Sequence, residues 1–233
     1  MLIKYKICPI LIPRILEKYC KNYSDEKYFR FVNITKTVTI FPDGKGLIYT
    51  THEVLNEGKN CIRRFPHRFF TSMATISDSL ETLQAQNNFE VRSLDGHDIH
   101  WEPVTDDEKR KLVCIIYNDS IRPGDRRKYS IRYEIAGLYK TKRTELGDGE
   151  HEGSSFTTRY ICDKHILKLK FYPNYRYSNL RYCVESPSKE EIYDKCRDLT
   201  AQHDPETGGT FVEVEEINPW RNFSYKVEWI PEN

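Results

Sequence analysis

The feature that most constrains this chain is a repeated two-residue alternation of β-branched or aromatic side chains with polar ones. Runs rich in Tyr, Phe, Ile, Val and Thr recur along the sequence and are bounded by Gly, Pro, Asn and Asp. Such alternation is typical of strands with one buried face, and helical periodicity is scarce. About a dozen strands are indicated, at the spacing that sandwiches and barrels show. The chain is therefore expected to be all-β, with few short helices.

Turn signals refine this expectation. The pair Asp43–Gly44 between two strand-like runs predicts a hairpin, because glycine adopts a positive φ at little cost. The scarcity of helices between strands argues against a parallel sheet. In the passage from Arg122 to Tyr133 a Pro-Gly-Asp turn leads into an alternating strand, which resembles passages in immunoglobulin-like sandwiches. This architectural resemblance implies an antiparallel β-sandwich, immunoglobulin-like in the broad sense, and a barrel is the alternative.

The chain is expected to divide at a polar, glycine-containing stretch, residues 140–154, which is interpreted as a flexible loop or linker. Loops of this length without secondary structure are uncommon inside compact domains. Residues 25–139 would then form the sandwich. Residues 155–233 would form a β-rich C-terminal half, either a second small unit or part of the same sandwich. Residues 1–24 are interpreted as a docking segment.

Charge and cysteine usage bound the classes of function and the compartment. Lys and Arg number 36 against 35 Asp and Glu, and the pI is near 7.6, so the chain lacks the basic footprint of most nucleic-acid binders. Seven scattered cysteines do not resemble a secreted disulfide scaffold. The apolar N-terminal run is short and is interrupted by Pro9 and Pro13, unlike a signal peptide, and no run is long enough to span a bilayer. A cytoplasmic protein with no membrane partner is expected.

One set of residues could hold a metal ion. If the runs on either side of Asp163 and Lys164 form a hairpin, the two residues that flank the turn lie on one face, and a separate pair of histidines could complete a tetrahedral zinc shell. The simpler interpretation is two strand residues and two exposed histidines. No cofactor is predicted outright, and zinc is the one that these side chains could bind. The four residues are His97, His100, Cys162 and His165.

No nucleophile elbow, phosphate-binding loop or dinucleotide motif is present, whereas two segments combine basic and aromatic residues. Such segments suit protein interfaces and, less well here, single-stranded nucleic acid. The sequence therefore predicts a non-catalytic module that recognises a protein partner or serves as the sensing or regulatory domain of a larger assembly. A small hydrolase with a Cys-His or zinc site is the alternative, and a single-stranded nucleic-acid module is the second alternative. The proposed contact residues are Arg63, Arg64, Phe65, Arg68, Tyr172, Tyr175, Arg176, Tyr177 and Arg181.

Overall fold

The computed structural model describes residues 29–70, 79–86, 88–106, 110–157, 160–186 and 195–232. Within them lie one α-helix, α1 (Leu80–Ala85), one 3₁₀ turn (Arg143–Glu145) and fourteen strands. The all-β prediction is confirmed, and the docking segment predicted for residues 1–24 lies outside the described residues. The strands are β1 (Phe29–Ile40), β2 (Gly46–Asn56), β3 (Ile62–Phe70), β4 (Phe89–Ser93), β5 (Ile99–Asp106), β6 (Arg110–Ile121), β7 (Arg126–Ile135), β8 (Glu152–Thr157), β9 (Lys164–Phe171), β10 (Tyr177–Glu185), β11 (Lys195–Asp198), β12 (Gln202–His203), β13 (Thr210–Ile217) and β14 (Ser224–Pro231).

Three sheets are formed by the described strands. A seven-stranded sheet has the order β12-β13-β9-β1-β2-β7-β4, a four-stranded sheet has the order β11-β10-β14-β8, and a three-stranded sheet has the order β3-β6-β5. The seven-stranded sheet contains strands from both of the predicted halves. The division into domains stays a prediction, as does the immunoglobulin-like form of the sandwich.

The predicted hairpin at Asp43–Gly44 joins β1 to β2 and is confirmed. Phe41 donates its backbone N–H to the carbonyl of Lys45 over 2.9 Å, and Gly44 has a φ of 80°. A Cβ atom at Gly44 would lie 2.2 Å from the backbone oxygen of Tyr139. Glycine is therefore required both by the turn conformation and by the close approach of the chain beyond β7.

One strand pair is parallel, which the sequence did not predict. Residues Ile34–Ile40 of β1 run parallel to His165–Phe171 of β9, and all other strand pairs among the described residues are antiparallel. The hairpin expected across Asp163 and Lys164 is absent, because β8 pairs with β14 and β9 pairs with β1 and β13. Short spacing along the chain suggested a hairpin, but both runs have non-local partners.

Two hydrophobic cores lie along one face of the seven-stranded sheet. The first joins Phe31 and Val54 of this sheet to Val113 and Ile115 of the three-stranded sheet. The second joins residues such as Val38 and Leu169 to side chains of the four-stranded sheet, including Phe156, Tyr182 and Trp229. The alternation along the strands of the seven-stranded sheet places its own members of both cores, Phe31, Val38, Val54 and Leu169, on one face.

The cysteines and one expected helix differ from the sequence interpretation. Cys183 of β10 lies opposite Cys196 of β11, and the two form a disulfide, although the scattered cysteines do not resemble a disulfide scaffold in the sequence. Ser188 and Glu191 form a capping-box pattern that predicts a helix over Ser188–Asp198. The last residues of that range form strand β11 instead, and its first residues lie outside the described part. The pattern of Ser188 and its neighbours was compatible with a helix, whereas pairing with β10 favours an extended chain at Cys196.

The segment 140–154 makes buried polar contacts with the rest of the chain. The Glu152 carboxylate is almost fully buried and accepts the backbone N–H of Lys140 over 2.7 Å. The hydroxyl of Tyr175 donates to the carbonyl of Lys140 over 2.7 Å and accepts the indole N–H of Trp229 over 3.0 Å. These bonds fix one end of the segment against the second core.

Candidate functional site: a polar seam between two cores

The first predicted contact segment belongs to β3. Arg63 is exposed and donates from Nε to the Ser120 hydroxyl over 2.8 Å. Arg64, Phe65 and Arg68 lie opposite Ile116, Ile115 and Leu112 of β6 in the strand register. Their assignment as partner contacts stays a prediction.

The second contact segment does not form one exposed surface. Tyr175 is only 5% exposed and belongs to the second core, so its assignment as a contact residue is corrected. Tyr177 is half-buried against Phe171, at 4.0 Å between ring centroids. Arg181 pairs with Glu228 at 2.6 Å. Tyr172 and Arg176 are exposed, and as contacts they stay predictions.

The four residues proposed for zinc are not brought together. Among the described residues, which include all four, no group of three or more His, Cys, Asp or Glu side chains could hold a metal ion. His97 lies 3.6 Å from Asp119, and His100 is an exposed residue of β5 in the three-stranded sheet. Cys162 belongs to the first core and forms a bridge with Phe31.

Burial sets the protonation states of both Cys162 and His165, and that of Cys162 argues against a metal ligand. Burial raises the pKa of the Cys162 thiol to about 12, so the thiolate that binds metals is disfavoured. His165 stacks on Phe156 at 3.4 Å between centroids, within the second core. Burial, together with the positive charge of Lys36, lowers the pKa of His165 to about 3. The imidazole is therefore neutral at physiological pH.

The most unusual polar group on the buried face of the seven-stranded sheet is Lys36. Alternation along β1 places Ile34, Lys36, Val38 and Ile40 on one face, and Val38 and Ile40 are fully buried there. Ile34 packs on the first core and Val38 on the second, so Lys36 lies between them. The same holds for Thr50 and His52 of β2, which lie between Ile48 of the second core and Val54 of the first. We call the four residues Lys36, Thr50, His52 and His165 the polar seam.

Lys36 is held without a carboxylate partner among the described residues. Its amino group donates to the backbone carbonyl of Ser155 over 2.8 Å. The side chain is partly exposed, and the protein that surrounds the amino group lowers its pKa to about 8. Thr50 lies directly opposite Lys36 in the register of β1 and β2, and is 7% exposed. Opposed residues of this kind have Cβ atoms about 4.5–5.5 Å apart, so the two side chains leave the sheet side by side.

Lys36 was not among the residues predicted from the sequence, although the alternation around it contains a signal. In the run from Ile34 to Ile40, every second residue is apolar except Lys36. A lysine on the apolar side of an alternating strand is unusual, because lysine is rarely buried without a partner. The position of the seam between two cores could not be foreseen, since it depends on which sheets cover the face.

Comparison with known proteins gives no match to any family model and no match among curated proteins. Solved structures similar to this chain include an M1 zinc metallopeptidase from Deinococcus radiodurans, with 8% identity and a TM-score of 0.47. They also include a putative protease from Parabacteroides distasonis, with 10% identity and a TM-score of 0.41. The alignments cover 87% of this chain, which spans only 42% and 40% of those chains.

The comparison corrects the predicted class of function. The similar structures are peptidases by description, so the prediction of a non-catalytic binding or regulatory module is wrong by this comparison. Identities and TM-scores this low do not show that this chain has the activity of those proteins. The protein partner stays a prediction, and so does nucleic acid as the less favoured partner. Within the described residues, no helix combines the length and apolarity needed to cross a membrane.

Proposed function

We propose that this chain has hydrolytic chemistry of its own at the polar seam, with the amine of Lys36 as general base. The observation that carries the proposal is the position of Lys36 between the two cores, where the amine donates to a backbone carbonyl and has no described carboxylate partner. A general base works best when its pKa lies near the working pH, and burial of a lysine is one way to reach that value.

The lowered pKa changes the supply of free amine by a large factor. With a pKa of about 8, about one Lys36 side chain in ten is unprotonated near pH 7. An ordinary lysine with a pKa of 10.5 has about one free amine in three thousand at this pH. The Lys36 side chain is partly exposed, so one side of it faces solvent. The seam therefore provides a base that surface lysines do not provide.

Thr50 is the proposed nucleophile. A threonine hydroxyl is weak unless a neighbouring base takes its proton, and lysine serves as that base in some hydrolases. In the proposed step the Thr50 oxygen bonds to the acyl carbon of an ester or amide while its proton moves to the Lys36 amine. The protonated amine then returns that proton to the leaving group as the bond to the acyl carbon breaks. The amine next takes a proton from water, and the water oxygen bonds to the acyl carbon. The bond from that carbon to the Thr50 oxygen then breaks, and the amine returns the proton to Thr50 as the acid leaves.

The test uses a chromogenic acetyl ester and an aminoacyl anilide as substrates. We expect hydrolysis by the wild-type chain to rise with pH through the pKa of Lys36, and Lys36→Met to remove it. Lys168→Met is the matched control, because Lys168 lies on the same sheet but pairs with Glu213. Thr50→Val should abolish turnover if Thr50 is the nucleophile and should preserve it if water attacks directly. Equal rates in Lys36→Met and wild type would refute the proposal.

Zinc has no assigned role in this proposal. A zinc ion would need ligands beyond the described groups, since none of these forms a cluster suited to a metal. Metal analysis of protein purified without added zinc tests this directly. Stoichiometric zinc that is retained in a His97→Ala, His100→Ala double variant would show that the ligands lie elsewhere in the chain.

A further inference from the structure

Arg127 of β7 is a buried cation without an ion-pair partner among the described residues. The residue is 7% exposed, and one terminal nitrogen donates to the backbone carbonyl of Arg126 over 2.8 Å. Its Nε atom is buried and has no hydrogen-bond partner within the described part of the chain. A buried guanidinium is costly unless it is paired, so this position calls for an anion.

A second donor lies beside Arg127 on the same face of β7. Tyr129 is fully buried, and none of the residues that the structure describes forms a hydrogen bond with its hydroxyl. Its ring stacks on His52 at 4.6 Å between centroids. Buried polar atoms without partners are few in natural proteins, so two such donors on neighbouring inward positions of one strand indicate a missing acceptor.

The surrounding groups do not neutralise Arg127. The Arg127 guanidinium carbon lies 6.0 Å from the ring centroid of Tyr117, which attracts a cation but carries no charge. Burial raises the pKa values of Tyr117 and Tyr129, so both hydroxyls stay protonated and can donate. The carboxylate of Asp95 accepts from the backbone N–H of Lys128 and from the Ser93 hydroxyl, and forms no ion pair with Arg127.

We propose that Arg127 and Tyr129 bind the carboxylate group of a small organic acid between the seven-stranded and three-stranded sheets. A guanidinium edge presents two parallel N–H donors to a planar carboxylate, and the Nε side of Arg127 is the unoccupied edge. The hydroxyl of Tyr129 supplies a further donor. Because both donors are enclosed in the first core, the site selects a small anion. The inference does not depend on hydrolysis at Lys36.

Formate and acetate are the probes, and chloride at equal ionic strength is the reference. We expect the melting temperature of the wild-type chain to rise with formate in a saturable manner, as mass action requires of a ligand that binds the folded state. Arg127→Gln should lose this shift. Arg126→Gln is the matched control and should keep it, because Arg126 points to Glu53 on the exposed face. Tyr129→Phe should weaken formate binding and leave the fold intact.

A direct measurement on the wild-type protein tests the proposal even if the Arg127 variant does not fold. The signal of ¹³C-labelled formate should broaden in the presence of the protein and sharpen again when acetate is added. Broadening without competition by acetate would indicate a formate-sized site and would still support the proposal. No broadening, together with equal melting temperatures in formate and chloride, would overturn it and would leave the hydrolysis at Lys36 untouched.

Discussion

Replacement of Lys36 by methionine should stabilise the protein near neutral pH. In the folded chain the amine has a pKa of about 8, against 10.5 in the unfolded chain. Below pH 8 the folded state must therefore hold a charge in surroundings that disfavour it. Methionine keeps much of the side-chain volume without the charge, so the variant avoids this cost.

The magnitude follows from the difference in pKa. One pKa unit corresponds to about 1.4 kcal/mol, which sets an upper limit of about 3 kcal/mol for the gain in the free energy of unfolding. Partial exposure of Lys36 reduces this, because water screens the charge. Loss of the hydrogen bond to Ser155 removes about 1 kcal/mol. A net stabilisation of about 1–2 kcal/mol is expected.

Urea unfolding of wild type and variant at several pH values measures this difference. In the wild type, the unfolded chain binds more protons than the folded chain between pH 8 and 10.5, so its stability rises over that window. The advantage of Lys36→Met should therefore shrink across the same window and vanish above it. The control Lys168→Met should show no such dependence, since Lys168 faces Glu213. A Lys36→Met protein that is less stable than wild type near pH 7, or a difference that does not change with pH, would refute the reasoning.

Three other predictions concern the packing around the seam and the second core. Burial lowers the pKa of His165 to about 3, so the free energy of unfolding should fall by about 1.4 kcal/mol per pH unit as the pH drops from 6.5 toward 3. Acid unfolding of His165→Phe should therefore shift to lower pH. The control His203→Phe, at an exposed position, should show no such shift. A Cys183→Ser, Cys196→Ser double variant should lose about 3 kcal/mol in urea unfolding by the loop-entropy estimate, and should not respond to dithiothreitol, whereas equal stability with wild type would contradict this. Tyr175→Phe leaves the buried indole N–H of Trp229 without its acceptor and the Lys140 carbonyl without its donor, and should cost about 1–3 kcal/mol. A cost below the error of the measurement would show that water replaces the hydroxyl.

The sequence predicted local features better than partners between distant segments. Alternation along β1 is sufficient to place Val38 and Ile40 on the buried face, and the turn at Gly44 follows from backbone preferences alone. The parallel pair of β1 with β9 joins residues more than a hundred positions apart, which no local pattern encodes. The disulfide was missed for the same reason, because the pairing of Cys183 with Cys196 cannot be deduced from spacing.

The buried positions of Arg127 and Lys36 could be predicted from the sequence in the same way. Arg127 stands among three successive basic residues, and composition alone counts all three as surface charge. Alternation with Tyr129 and Ile131 would have assigned Arg127 to the buried face, as it would have assigned Lys36. The predicted grouping of Cys162 with His165 relied on a hairpin at Cys162 that the register of β9 excludes. Periodicity therefore identifies buried charges, but only the sheet order shows which of them share a surface.

The buried charged and polar groups on the inward face of the seven-stranded sheet share one physical property. Lys36, His165 and Arg127 occupy positions where apolar side chains would pack at lower cost, since a buried base must lose its proton or find a partner. Local rules of packing are broken in natural proteins mainly where function requires it. The two proposed sites can be tested separately. An amine acts on a substrate that enters from solvent, whereas an enclosed guanidinium holds an anion in place, so substitution at Lys36 and at Arg127 should affect different ligands.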